Sequence, residues 1–245
     1  MITSIKNEKV KAWKKLHKRK ERINTNSFLV EGFHLLEEAW KSEWQIKEII
    51  AQENVDLPAW AESFPVTWVT DHVFEHISQT KTPQGVAAIM EMKRFNNLDG
   101  DYILLIDAIQ DPGNLGTIIR TADAAGFDGI ILGDGTVDLY NDKVIRATQG
   151  SIFHIPLHQK NLQTSIITLK EIGFSVWATA LDNAVKYNET EIDSKVALIL
   201  GNEGAGVKTA LIKEADKIVN IPIHGEAESL NVSIAAGILM YYVKG

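Results

Sequence analysis

Short apolar runs alternate with segments of helical period along nearly the whole chain. Residues 102–106 (YILLI), 128–132, 175–180, 196–200 (VALIL) and 217–221 are continuous or nearly continuous apolar runs, the pattern of strands buried on both faces of a parallel sheet. Around them, residues 115–125, 141–148, 162–172, 207–215 and 230–243 read as helices, and 151–156 as a short extended piece. Gly173 stops the helix at 162–172. The N-terminal third has the same alternation on a smaller scale. A helix is expected over 4–20 with Trp13 and Leu16 on a narrow stripe, and another over 31–40 carrying Phe33, Leu35, Leu36 and Trp40. Strands are expected at 27–30, 46–51, 66–69 and 85–92. Pro58 interrupts a helical stretch at 57–64, and Asp71 is placed to cap a helix over 72–78. The polar, turn-rich KRFNNLDG at 93–100 separates the two parts. The expected fold class is α/β: a small unit at 1–94 and a larger domain at 98–245, whose mainly parallel sheet is covered by helices on both faces.

Charge changes this picture at one end. The chain carries a net charge of -7, yet Lys6, Lys9, Lys11, Lys14, Lys15, Lys18, Arg19, Lys20 and Arg22 crowd its start against only Glu8 and Glu21. A basic arm on an acidic body suits an anionic partner, and clustered phosphates fit because each contact releases condensed counterions. Lys11, Lys14, Lys15, Lys18, Arg19 and Arg22 are the candidate contacts. The competing reading is a solubilising terminal helix. There is no cysteine, which excludes a disulfide framework, Cys-ligated metal and a thiol nucleophile, and suits a reducing cytoplasmic compartment. No secretory signal and no membrane span are expected.

Three loops that follow expected strands hold the candidate chemistry, since ligands of open α/β sheets bind beyond the carboxyl ends of strands. The first, DAIQDPGNLGTIIR, places Asn114 before a helix and Arg120 less than two turns along it. The second, GNEGAG at 201–206, has glycines that permit close backbone approach and Glu203 as its one charge. It is not a Walker A loop: counting from Gly201, Lys is required at 207, where Val stands, and Lys208 is one place late. The third, IPIHGEAESLNVS at 221–233, ends with Ser229, Asn231 and Ser233 at the start of the last helix, where capping competes with ligand binding. His72, Glu75 and His76 spell the inverted zinc-protease pattern. They lie on a short helix with no Gly-rich or polar loop expected beside it, so no metal is expected.

Taken together and in order, NLGTIIR at 114–120, LILGNEG at 198–204, IPI at 221–223 and SLNVS at 229–233 resemble the three signature motifs of the SpoU (TrmH-like) branch of the SPOUT RNA methyltransferases. FLVEG at 28–32 and TPQGV at 82–86 resemble phrases of the substrate-binding domain, similar to ribosomal protein L30e, that many members carry. The resemblance implies a deep trefoil knot and a homodimer through the C-terminal domain. It implies S-adenosylmethionine held near Gly201, Ile221 and Leu230, with Thr179 and Ala180 as further contacts. It also implies methyl transfer to a ribose 2'-hydroxyl of RNA, with Arg120 acting at that hydroxyl, Asn114 and Glu203 orienting Arg120 or the ribose, and Ser229 and Asn231 bonding ribose or phosphate. Ser233 is expected to support the helix. Ribosomal RNA (23S) is the expected substrate. The alternatives are a tRNA ribose methyltransferase, a non-catalytic RNA-binding or ribosome assembly factor on the same fold, and a nucleotide-dependent α/β enzyme.

Overall fold

The computed structural model describes residues 1–42, 44–95 and 97–245; Asn96, within the polar stretch at 93–100, lies outside them. The chain forms two compact units. One comprises Met1–Lys93 with Asp138–Phe153, the other Arg94–Val137 with His154–Gly245.

The first unit contains α1 (Glu8–Lys15), α2 (Arg19–Thr25), β1 (Ser27–Glu31), α3 (Phe33–Lys41), β2 (Ile46–Gln52), β3 (Val66–Val69), α4 (Asp71–Ile77) and β4 (Val86–Glu91). Its four strands run in the order β1-β4-β2-β3, with β2 and β3 parallel and the other pairs antiparallel. Instead of one helix over 4–20, the chain makes two. Asn7 caps α1, and the chain turns at Leu16, whose carbonyl accepts a hydrogen bond from Nη1 of Arg22 at 2.7 Å. Val10, Trp13 and Leu16 bury themselves with Ile50, Val69, Phe74 and Ile77. The N-terminal segment therefore belongs to the core of this unit and is not a detached arm. Asp71 lies inside α4, with Thr70 at the capping position. In that helix Val73, Phe74 and Ile77 face the core, while His72 and Glu75 are exposed. The FLVEG and TPQGV phrases meet here. The Glu31 carboxylate accepts from Ser78 Oγ at 2.6 Å and Gln79 N at 2.8 Å, and Oε1 of Gln84 accepts from Phe33 N at 2.9 Å.

The second unit begins with β5 (Tyr102–Ile106), α5 (Pro112–Ala124) and β6 (Gly129–Leu132). After α6 (Asp142–Thr148), which belongs to the first unit, come β7 (Leu157–Gln159), α7 (Leu162–Glu171), β8 (Ser175–Thr179) and β9 (Val185–Lys186). The chain ends with β10 (Val196–Leu200), α8 (Thr209–Glu214), β11 (Lys217–Asn220) and α9 (Val232–Lys244). Seven strands form one sheet in the order β7-β6-β5-β10-β8-β11-β9, every pair parallel. On one face Ile103, Leu105, Val176, Ala197 and Ile199 pack under Leu162, Ile166 and Leu169 of α7 and Leu211 of α8. The alternate residues Leu104, Ile106, Leu198 and Leu200 are equally buried. That explains why these strands read as continuous apolar runs. On the other helix layer α5 and α9 pack against each other, and α9 against β10.

The two outermost strands, β7 and β9, have no counterpart in the sequence pattern, because two or three residues carry no period. Ser151–Phe153, expected to be extended, form a 3-10 turn.

Candidate active site

A parallel sheet puts the carboxyl ends of its strands along one edge, so the loops after β5, β8, β10 and β11 leave from the same side. The first begins at Asp107, whose carboxylate is fully buried and accepts from Lys208 N at 2.8 Å. Lys208 Nζ also lies 2.8 Å from the other oxygen, closing an ion pair. Ala108 follows in the left-handed region at φ 59°, a conformation a non-glycine residue holds only when its surroundings enforce it. Its carbonyl accepts from Nδ2 of Asn202 at 2.8 Å. Asp111 caps α5, accepting from Asn114 N at 2.8 Å, and Pro112 sits in the first turn, where its missing N–H costs nothing. Asn114 is therefore not the cap, and its side chain is left for other partners.

The second loop is a tight reversal. Asn202 and Gly206 exchange backbone hydrogen bonds of 3.0 Å each. A Cβ on Gly201 would fall 2.2 Å from the backbone of Gly206 and Val207, so only glycine fits. Oδ1 of Asn202 accepts from the N–H groups of Gly204 and Ala205. The carboxylate of Glu203 reaches across to the first loop, accepting from Gln110 N at 3.1 Å, Asp111 N at 3.0 Å and Nδ2 of Asn114 at 3.1 Å. Partial burial opposes its ionisation. The hydrogen bonds from Asp111, Gln110 and Asn114 outweigh that and hold its pKa below the ordinary value.

The third loop is tied in by Asn231. Its Nδ2 donates to Oδ1 of Asn114 at 3.0 Å. Its Oδ1 accepts from Ser233 N at 2.9 Å and Ser233 Oγ at 2.6 Å. Asn231, not Ser229, is thus the cap of α9. One hydrogen-bonded chain now runs Ser233, Asn231, Asn114, Glu203 and the backbone of the first loop. It joins all three motifs. Ser229 is exposed and has no hydrogen bond among the described residues.

Arg120 projects from α5 into solvent with no ion pair or hydrogen bond among the described residues. Asn114 and Glu203, expected to orient Arg120 or the ribose, bond each other, Asn231 and backbone here, and neither bonds Arg120 among the described residues. Thr179 Oγ1 donates to Ile199 O at 3.1 Å, and Ala180 N to Val219 O at 3.1 Å, so the ends of β8, β10 and β11 are bound together there. Ile221 is half-buried, and Leu230 is exposed.

The basic residues of the first unit divide. Lys15, Lys18 and Arg19 are exposed, Lys11 is exposed but paired with Glu8, and Lys14 donates to the carbonyl of His76 at 2.5 Å. Arg22 departs from the expected set of phosphate contacts. It is buried, its guanidinium paired with Asp138 and bonded to Leu16, so it has no face for a phosphate.

Three residues of the site were not singled out by the sequence. Asp111 had a signal, Asp-Pro at a helix start. Asp107 and Asn202 had none, because their roles depend on partners brought close by the fold. Among the described residues no group of three His, Asp or Glu gathers closely enough to hold a metal ion, and no helix is long and apolar enough to cross a membrane.

Three loops knitted together at the carboxyl edge of a parallel sheet define a ligand-binding α/β site of the enzyme type. Residues 101–241 match the SpoU rRNA Methylase family, and residues 7–88 match the MRM3-like substrate binding domain. The chain is 48% identical to the 23S rRNA (guanosine(2553)-2'-O)-methyltransferase RlmP of Bacillus subtilis (strain 168), over 100% of this chain and 99% of that one. It resembles the AdoMet-bound rRNA methyltransferase of Sinorhizobium meliloti with a TM-score of 0.90 and 35% identity, covering 99% of this chain and 96% of that one. It also resembles the AdoMet complex of the SpoU methyltransferase AviRb from Streptomyces viridochromogenes, with a TM-score of 0.88 and 25% identity, over 98% and 97% of the two chains. The chain belongs to the SpoU rRNA methylase family.

The residues present fit S-adenosylmethionine. Gly201 keeps the second loop free of a side chain, and Leu181 and Leu230, in the loops after β8 and β11, expose apolar surface. The Oδ1 atom of Asn220, at the end of β11, is buried with no donor. A site of this kind lacks an apolar body with polar donors at its rim, which the cofactor would supply.

Proposed function

We propose that this protein methylates a ribose 2'-hydroxyl of large-subunit ribosomal RNA, using S-adenosylmethionine. The observation that carries the reading is the hydrogen-bonded chain from Ser233 to Glu203, anchored at Asn114 on the helix that also carries Arg120, which is unpaired among the described residues. The guanosine 2'-O-methyltransferase of Bacillus subtilis, similar over its full length, supports the choice of substrate.

The cofactor, when bound, supplies a methyl group already activated on a sulfonium. The protein's work is then positioning and charge. The second and third loops hold the cofactor through Gly201, Ile221 and Leu230, with Thr179 and Ala180 at the neighbouring strand end. The Arg120 guanidinium clamps the phosphate next to the target ribose and stabilises the negative charge that develops on the 2'-oxygen. Asn114 and Asn231 set the walls against which the ribose lies, and Ser229, free on the rim, bonds ribose or phosphate.

Residues 1–94 act as the RNA-binding domain, through Lys11, Lys14, Lys15, Lys18 and Arg19, and residues 98–245 as the methyltransferase domain. Two copies pair through α5 and α9, where Ile234 and Tyr241 are 56% and 57% exposed. The chain is threaded as a trefoil knot. Membership of the SpoU family, residues 101–241, supports this threading. The protein works in the cytoplasm, where its substrate is made.

Mapping 2'-O-methyl groups in RNA from cells with and without this chain tests the reading. Loss of one ribosomal site is expected. Loss of a tRNA site alone would favour the tRNA alternative, and no loss in any RNA would favour an assembly factor.

A further inference from the structure

Trp40, in the last turn of α3, is 42% exposed, although indoles are highly buried on average. Its ring is held in place. It stacks on the ring of Trp60, with centroids 5.0 Å apart and planes 8° from parallel, and Trp60 meets Phe64 edge-on at 6.3 Å. Trp60 and Phe64 are half-buried, in and just after the 3-10 turn Ala59–Ser63. One face of Trp40 is spent on Trp60, so its exposure falls on the other face and the rim. The charges around this ladder are mostly negative. Glu37 lies one turn before Trp40 on α3, and Glu62 is exposed two residues after Trp60. Lys41, the cation beside them, is held by Glu37 at 2.7 Å and Glu38 at 3.6 Å. Three carboxylates against one ammonium leave the patch acidic.

The ladder is also set apart from the basic helices. The core cluster that buries α1 and α4 takes Leu29, Ile50, Ala87 and Ile89 from the sheet and, among the described residues, none from α3. Yet Leu35, Leu36 and Ala39 of α3 are buried, and α3 packs on β1 and β4. It therefore covers the opposite face of that sheet from α1 and its lysines. We infer that the ladder docks an arginine-rich segment of a protein partner, with a guanidinium flat on the open face of Trp40 and Glu37 and Glu62 beside it. A guanidinium is planar, cationic and weakly hydrated, so it stacks on an indole while its in-plane donors serve carboxylates. An RNA base also stacks on an indole, but it brings phosphates against the same carboxylates. This surface is thus distinct from the face that meets RNA, and the inference does not depend on methyl transfer.

Calorimetry on the full chain tests this with a short peptide of alternating arginine and glycine and with its lysine counterpart. The arginine peptide should bind, and more tightly than the lysine one. Trp40→Ala should weaken it about tenfold and remove the preference for arginine, while binding of a single-stranded RNA oligonucleotide stays unchanged. Glu62→Lys should weaken the arginine peptide about threefold, whereas Glu171→Lys, the same charge change at the exposed end of α7, should not. That comparison serves even if Trp40→Ala does not fold. Absence of binding would overturn the inference. Equal affinity for the two peptides, or equal effects of the two lysine substitutions, would do the same by showing only attraction to an acidic body. A folded Trp40→Ala that keeps the arginine peptide would also overturn it, and one that loses the RNA oligonucleotide instead would assign the ladder to RNA.

Discussion

The side-chain amide of Asn231 donates to Oδ1 of Asn114 at 3.0 Å, across a separation of 117 residues. Two further bonds give that contact a direction. Asn114 has its Nδ2 on the ionised Glu203, so only its oxygen is left to face Asn231. Asn231 in turn has its oxygen committed to Ser233, so only its Nδ2 can face Asn114. Each amide is locked by its other partner, and the first turns of α5 and α9 are held in register without any charge between them.

Replacing Asn114 by Ala breaks both bonds at once and leaves Glu203 and Asn231 each short of a partner. A geometric loss of this kind at a positioning residue costs on the order of 100-fold in rate. Single-turnover methyl transfer by Asn114→Ala should fall by about that factor, while the calorimetric affinity for S-adenosylmethionine changes little. A comparable loss in both quantities would place Asn114 in cofactor binding instead.

Glu203 gives the same network a pH signature. Its folded pKa lies below the ordinary 4.5, so ionised Glu203 contributes stability that is fully present above the unfolded value and is lost as pH falls through the folded one. The melting temperatures of the protein and of Glu203→Gln should therefore differ by a constant amount from neutral pH down to about 5 and converge at more acid pH. A difference that grows on acidification would show that the carboxylate is protonated in the fold.

Arg120→Ala should abolish methyl transfer, with S-adenosylmethionine affinity within about twofold of the unaltered protein. Nothing in the fold depends on Arg120, which is exposed and unpaired among the described residues. Arg120→Lys should rescue little, because an ammonium lacks the planar fork that grips a phosphate on two oxygens. Equal loss of transfer and of cofactor affinity would count against this division of labour.

How much of this was legible in the sequence follows from what each feature depends on. The central strands could be read because burial on both faces leaves continuous apolar runs such as Val196–Leu200, which is wholly buried. The edge strands β7 and β9 could not, being too short to show a period. Within the site, the residue types of the three motifs stood out as Asn114, Arg120, Glu203 and Asn231, but their pairing did not. Sequence spacing put Arg120 near Asn114 on one helix. The hydrogen bonds show Asn114 turned toward Glu203 and Asn231, both about 90 or more residues away. Which side chain caps each helix was not legible, because Asp111 and Asn114 at α5, and Ser229 and Asn231 at α9, offer the same chemistry within a few residues of each other. Charge count alone could not tell Arg22 from its neighbours, since its burial depends on Asp138, far along the chain.

Arg22 and Asp138 form an ion pair whose side chains are 7% and 15% exposed, with Arg22 also holding the Leu16 carbonyl that turns the chain between α1 and α2. Removing one partner of a buried pair leaves the other charge stranded, and Arg22→Ala should cost about 3–5 kcal/mol of stability. Lys15, Lys18 and Arg19 are exposed, and replacing any of them by Ala should shift stability by no more than about 0.5 kcal/mol. Binding to RNA should sort them the other way. Each exposed side chain that meets a phosphate contributes about 0.7–0.9 to the slope of log affinity against log salt, so the triple Ala variant should bind more weakly and less salt-dependently. Urea titrations and RNA binding at two salt concentrations separate the two roles. An unchanged salt slope in the triple variant would remove this face from the RNA contact, and a stable Arg22→Ala would show that the buried pair is dispensable to the first unit.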